Sequence, residues 1–190
     1  VYSGDFDKYF SETFAGAGSQ KQQVDVLFLK QINDWRIALS NELYAKGGRY
    51  ASLDVLNDVV QEFINQIVFI RICEDKNLPL YHKLKDTITD SATLQKELEA
   101  LFRDADKRYN SGMFSGDYII FDLNNSVIAD MIKGLYYPQS PYLFSIIEPN
   151  MLGKIYEMFL TEQLTILDNG KIGLAQKKEC LNRSVVTTPT

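Results

Sequence analysis

The 190 residues, 45% of them hydrophobic, suffice for one well-buried domain. Acidic side chains (25) outnumber basic ones (20), and the net charge of −5 excludes a protein whose whole surface grips nucleic acid, though not a local basic patch. One histidine and two distant cysteines exclude a zinc site and a disulfide scaffold, no apolar run is long enough to span a bilayer, and the polar start lacks the basic stretch of a signal peptide, so the expected setting is a reducing cytoplasm without membrane contact.

Residues 1–23 read as a linker, because Gly16, Gly18, Ser19 and Lys21-Gln22-Gln23 have turn character. Within them Phe14-Ala15-Gly16-Ala17-Gly18 matches the F-x-G-x-G pattern of a loop that binds S-adenosylmethionine. That loop needs a buried strand before it, and Tyr9-Phe10-Ser11-Glu12-Thr13 is not one, so the match is read as linker. The helical domain is expected over 24–164. Its first helix, 24–46, carries the stripe Leu27, Phe28, Ile32, Trp35, Leu39 and Leu43 and ends at Gly47-Gly48. Trp35-Arg36 is a conceivable ligand-stacking pair, but a lone Trp on such a stripe is more often core.

The second helix, 53–76, is the centre of the fold. Leu53, Leu56, Val60, Phe63, Ile64, Ile67 and Ile70 recur at steps of three and four, with Ser52 as N-cap and Asp54 in the first turn. From Ile67 to Cys73 the chain is apolar almost all round, which requires neighbours on most faces, and Cys73 reads as a buried thiol. Arg71 alone interrupts that run, with Glu74 and Asp75 three and four residues on. These three are expected to form a semi-buried structural ion cluster. Glu74-Asp75-Lys76 also superficially matches a nuclease's acidic-plus-lysine cluster, but nuclease carboxylates converge on Mg²⁺ from strand ends open to water.

Asn77-Leu78-Pro79 stops that helix. His82, in the connector that follows, has no identifiable partner for acid–base work and reads as a surface residue. A helix over 92–109, capped by Asp90 or Ser91, presents Leu94, Leu98, Leu101, Phe102 and Ala105. A turn carrying Phe114 follows, then a short strand or extended segment at 118–122, a helix over 126–135, and the aromatic turn Tyr136-Tyr137-Pro138-Gln139-Ser140-Pro141. A helical turn is expected over 142–147 and a last helix over 150–164, with the stripe Leu152, Ile155, Tyr156, Phe159 and Leu160. Residues 165–175 read as a hairpin, since Asn169-Gly170 accepts the positive φ of a type I′ turn. The polar, basic stretch 176–190 is expected to be a loosely held tail. The fold class is thus mainly α: an irregular multi-helix bundle with one small β-hairpin near the C-terminus. No catalytic set emerges from the residues themselves.

Five segments, in order, carry a resemblance: Asp34-Trp35-Arg36-Ile37-Ala38-Leu39, Phe69-Ile70-Arg71-Ile72-Cys73-Glu74-Asp75, Arg108-Tyr109-Asn110-Ser111-Gly112-Met113-Phe114, Leu135-Tyr136-Tyr137-Pro138 with Ser140-Pro141-Tyr142, and Leu152-Gly153-Lys154-Ile155-Tyr156-Glu157-Met158-Phe159-Leu160. Together they resemble the helical region ahead of the catalytic domain in large bacterial adenine-specific DNA methyltransferases. These are the type IIG-like restriction-modification enzymes and their phage-defence relatives. In that family a G-V-Y-Y-T-P-like element next opens the methyltransferase domain and helps form the S-adenosylmethionine pocket. Arg183-Ser184-Val185-Val186-Thr187-Thr188-Pro189 stands there in this chain, with Ser184 for the glycine and Val186-Thr187 for the two tyrosines.

The resemblance therefore implies a cofactor contact at Thr187, Thr188 and Pro189. It also implies that residues 176–190 lead into a methyltransferase domain beyond Thr190, where the F-x-G-x-G loop and N-P-P-Y motif would lie. A start on Val and a stop at Thr-Thr-Pro-Thr fit an excised segment. The implied parent methylates adenine N6 of a flipped base in double-stranded DNA. Whether it also carries a nuclease, and with it Mg²⁺, is left open. On this reading the chain is a non-catalytic connector, needing no cofactor itself, that positions methyltransferase, nuclease and DNA-recognition parts. The alternatives are a stand-alone helical protein-interaction module docking through 136–144, and a metal nuclease using Glu74 and Asp75.

Overall fold

The computed structural model describes residues 4–76, 78, 83–110, 112–116, 118–140 and 151–177, with side chains from Asp25 onward except that of Leu152. Six helices and one two-stranded antiparallel hairpin make up the described chain, matching the mainly α class expected. The first helix, α1 (Gly4–Lys46), is the longest element. Residues 4–23, expected to be a linker with turn character, continue it. Interior glycines cost a helix only about 1 kcal/mol each relative to alanine, and good helix formers separate them here. Phe28, Ile32, Leu39 and Leu43 form its buried stripe, while Leu27, assigned to that stripe, is 51% exposed. The helix stops at Gly47, whose φ of 69° suits glycine alone, and Gly48 at 60° starts a 3₁₀ turn over Gly48–Ala51.

The central helix is α2 (Leu53–Asp75), and Ser52 caps it by accepting the Val55 N–H through its hydroxyl. Its apolar end is covered on most sides, since Ile67, Val68, Ile70, Arg71, Cys73 and Glu74 are all buried there. The Leu78 N–H closes the end on the Cys73 carbonyl at 3.0 Å. A single turn, α3 (Lys83–Asp86), leads to α4 (Leu94–Tyr109), whose five expected core residues are all buried. The start of α4 lies later than expected. Asp90 accepts the Ala92 N–H and fixes a preceding turn, so Thr93 takes the cap position. Phe102 of α4 packs between Phe63, Phe114 and Tyr118, with ring centroids 6.2, 5.4 and 5.4 Å away, and Phe114 is the buried plug expected after this helix.

Residues 118–122 are not a strand. Ile120–Asp122 form a 3₁₀ turn, with the Asp122 N–H bonded to the Ile119 carbonyl at 2.9 Å. Ile119 and Ile120 are both buried in succession, and a period-two strand cannot face the same core with neighbouring side chains. The next helix, α5 (Asn125–Lys133), has Asn124 at its N-cap, and the N–H of that residue donates to the Glu42 carboxylate of α1. The expected helical turn at 142–147 lies outside the described residues.

The last helix, α6 (Met151–Thr161), ends three residues short of expectation, because Glu162 already begins the hairpin. Strand β1 (Glu162–Ile166) pairs with β2 (Ile172–Gln176) in the register Leu164↔Leu174 and Ile166↔Ile172. The turn is not type I′, since only Gly170, at φ 77°, has positive φ there. The Gly170 N–H bonds back to the Leu167 carbonyl, so Asp168 and Asn169 form an ordinary turn and Gly170 supplies the left-handed residue after it. Asn41 of α1 stands in for a third strand at β2, because its side-chain amide both donates to and accepts from the Ile172 backbone at 2.9 Å.

Candidate functional site

The C-terminal end of α2 gathers the charged residues that the sequence singles out. Arg71 is 9% exposed and Glu74 is 1% exposed. The helix repeat puts Asp75 and Glu74 within reach of the same guanidinium. Nη1 of Arg71 is bonded to Asp75 and lies 3.7 Å from Oε2 of Glu74. Nε donates to the Leu135 carbonyl at 3.1 Å, and the guanidinium stacks 4.4 Å above the Tyr136 ring. Glu74 is held from two further elements: its Oε1 accepts the Leu84 N–H of α3 at 2.8 Å and its Oε2 accepts the Tyr136 hydroxyl at 2.5 Å. Burial, followed by the Glu74 charge, pushes the Tyr136 phenol far above its ordinary range.

A reacting carboxylate needs space for water, metal or substrate. Both oxygens of Glu74 instead face protein donors. The cluster ties the end of α2 to the turn after α5 and to the start of α3. Among the described residues, no group of three or more His, Cys, Asp or Glu side chains is arranged to hold a metal.

A second buried cation is Arg36 of α1, with no exposure. It occupies the inward stripe position between Ile32 and Leu39, which is the signal by which the sequence marks it as core. Its Nη2 donates to Asn57 of α2 and to the Glu162 carbonyl at the α6–β1 joint, at 2.5 and 2.7 Å. The guanidinium stacks 4.4 Å from the Phe159 ring centroid, while Nε and Nη1 find no acceptor among the described residues. Burial lowers its pKa to about 10, partly opposed by Glu162, so the side chain remains cationic at neutral pH. Trp35 packs edge-to-face on Phe28 with centroids 6.4 Å apart. The adjacent pair thus packs against protein.

Other polar side chains of α1 reach the same late elements. Asn33 donates to the Glu162 carboxylate, Lys154 of α6 pairs with Asp25 at 2.5 Å, and Gln31 donates to the Gly134 carbonyl. Cys73 is a buried free thiol, and burial raises its pKa. His82 and the cofactor residues implied by resemblance, Thr187, Thr188 and Pro189, lie outside the described residues, as does the 141–144 part of 136–144. No helix among the described residues is long and apolar enough to cross a membrane.

Compared with known proteins, the chain is 44% identical over its whole length to the type II restriction enzyme and methyltransferase RM.Eco57I of Escherichia coli, and it spans 19% of that protein. No family model matches it. No solved structure matches it either.

Proposed function

We propose that this chain is the non-catalytic helical connector of a restriction-modification protein that methylates adenine N6 in double-stranded DNA with S-adenosylmethionine. The observation that carries the reading is the likeness to RM.Eco57I, which runs through the entire chain while covering only a fifth of that relative's length. The relative is both a restriction enzyme and a methyltransferase, and a helical segment whose described charged clusters are bonded within the fold suits a place between such working parts. Its described polar clusters support this, because Arg71, Glu74 and Arg36 direct their bonds into the fold. We assign Arg71, Glu74 and Asp75 a structural role as a brace, and Thr187, Thr188 and Pro189 a place beside the cofactor pocket. Mg²⁺ enters only if the same protein carries a nuclease.

The test is methyl transfer from labelled S-adenosylmethionine to DNA. The product of the whole reading frame should methylate adenine and residues 1–190 alone should not. Pro189→Ala in the whole protein should weaken S-adenosylmethionine binding measured by calorimetry. Methylation by residues 1–190 alone, or a whole protein that binds no S-adenosylmethionine, would refute the assignment.

A further inference from the structure

We propose that the groove between α2 and α6 is a docking surface for a basic, amphipathic segment of the parent protein that lies outside residues 1–190; this rests on the connector reading above. The groove has a volume of about 510 Å³, the size that takes a few anchoring side chains. Its α6 wall is incomplete as a soluble surface. The apolar arc of α6 is wider than the described fold covers. Met151, Ile155 and Phe159 are buried, but Tyr156 and Leu160, one turn apart on the same helix, are 53% and 48% exposed.

The opposite wall is the outer face of α2, which places the amides of Asn57, Gln61 and Asn65 at four-residue steps, with Asp58 and Glu62 at the same spacing beside them. Glu157 is exposed next to Tyr156, and Lys177 is the cation on the lining among the described residues. An apolar pair against an acidic wall suits a helix or extended segment that carries lysine or arginine beside an apolar ridge. It repels duplex DNA, whose phosphates need cations. Most of RM.Eco57I lies outside the matched part, so a parent of that kind has the length to bring such a segment in cis.

The experiment uses the whole protein. Carbodiimide with an amine label reports carboxylate accessibility by mass spectrometry, and without added amine it joins touching carboxylates and lysines directly. Asp130, whose side chain is 78% exposed, is the open reference, and the buried Glu74 reports intact folding. Asp58 should label roughly tenfold more slowly than Asp130, because an intramolecular partner is held at high effective concentration. Tyr156→Ser/Leu160→Ser should restore labelling at Asp58 with Glu74 still silent, and Asp58 or Glu62 should join to lysines outside residues 1–190.

Labelling of Asp58 as fast as Asp130 overturns the proposal. So do joins only to lysines within residues 1–190 or to a second copy, and so does protection with no join to an outside lysine. Methyl transfer by the same preparation separates the two readings. Activity with an open Asp58 removes the docking surface and leaves the connector assignment, whereas absence of methylation removes that assignment.

Discussion

Replacing Glu74 by leucine tests the centre of the fold most directly. The carboxylate is 1% exposed and accepts the Leu84 N–H at 2.8 Å and the Tyr136 hydroxyl at 2.5 Å, with Arg71 3.7 Å away. Leucine removes both acceptors at once. Each buried donor left without a partner costs about 1–3 kcal/mol. Breaking a buried ion pair from one side costs about 3–5 kcal/mol by a separate route. Arg71 keeps its bonds to Asp75 and Leu135, which softens the loss, and leucine gains apolar burial. The expected cost is about 3 kcal/mol, or roughly 6–12 °C in melting temperature for a chain of this size.

Urea unfolding followed by circular dichroism should show a lower midpoint with an unchanged slope. Glu74→Gln, which keeps one acceptor, should lose about half as much. Arg71→Met/Glu74→Leu should cost less than the two single changes added together, since no cation is then left facing an apolar partner. A Glu74→Leu protein within about 0.5 kcal/mol of the parent would mean that this carboxylate stands in water and that the brace does not exist.

Asn41→Ala removes both bonds to the Ile172 backbone. It should cost about 1–3 kcal/mol and speed amide exchange at Ile172 well ahead of exchange in α2. Gly170→Val forces a branched side chain to φ 77° and should cost about 1–2 kcal/mol by urea titration, with Gly170→Asn much milder. Above pH 9 stability should fall. Burial, then the bond with Cys73, raises the Tyr109 phenol to about 12, and Tyr50, Tyr118 and the Cys73 thiol are also raised, with burial the largest cause in each. Groups that hold protons more tightly when folded contribute fully below their unfolded values, and that contribution is lost as pH climbs through the folded ones. Arg36, lowered to about 10, acts in the opposite direction above that pH, so Tyr109→Phe is the clean comparison. Its urea midpoint should fall less steeply between pH 10 and 12 than the parent's, and an identical slope would contradict the assignment.

Helical periodicity is legible wherever one face alone meets the core. The five apolar positions of α4 and the inward stripe of α2 are readable for that reason, and they are buried as expected, except that Leu53 at the start of α2 is half-buried. Support from distant residues is not legible in this way. The Asn124 N–H at the start of α5 bonds to Glu42, 82 residues away, and the hairpin leans on Asn41, so neither bond is written beside the element it supports. The segment 118–122 has the composition of a strand, but no edge among the described residues pairs with it, and two successive isoleucines turn inward. Arg36 shows the limit of reading by residue type. Its register on α1 points inward, while its charge suggests the surface, and packing on Phe159 with bonds to Asn57 and Glu162 decides for the register. Tyr156 and Leu160 show the reverse: periodicity assigns them to the core, and the described chain leaves them exposed.

The long polar reach of α1 also governs the order in which the molecule can close. Gln31 and Asn41 bond to residues 103 and 131 positions later, and the Arg36 side chain waits for the Glu162 carbonyl. A ribosome delivers α1 well before these acceptors. Until the hairpin emerges, packing this helix would bury donors with nothing to bond, and bringing such distant ends together is the slow part of a search through chain conformations. Of these elements α1 is therefore made before its partners and locked only after them, so any chain cut short before Ile172 lacks the contact that completes it.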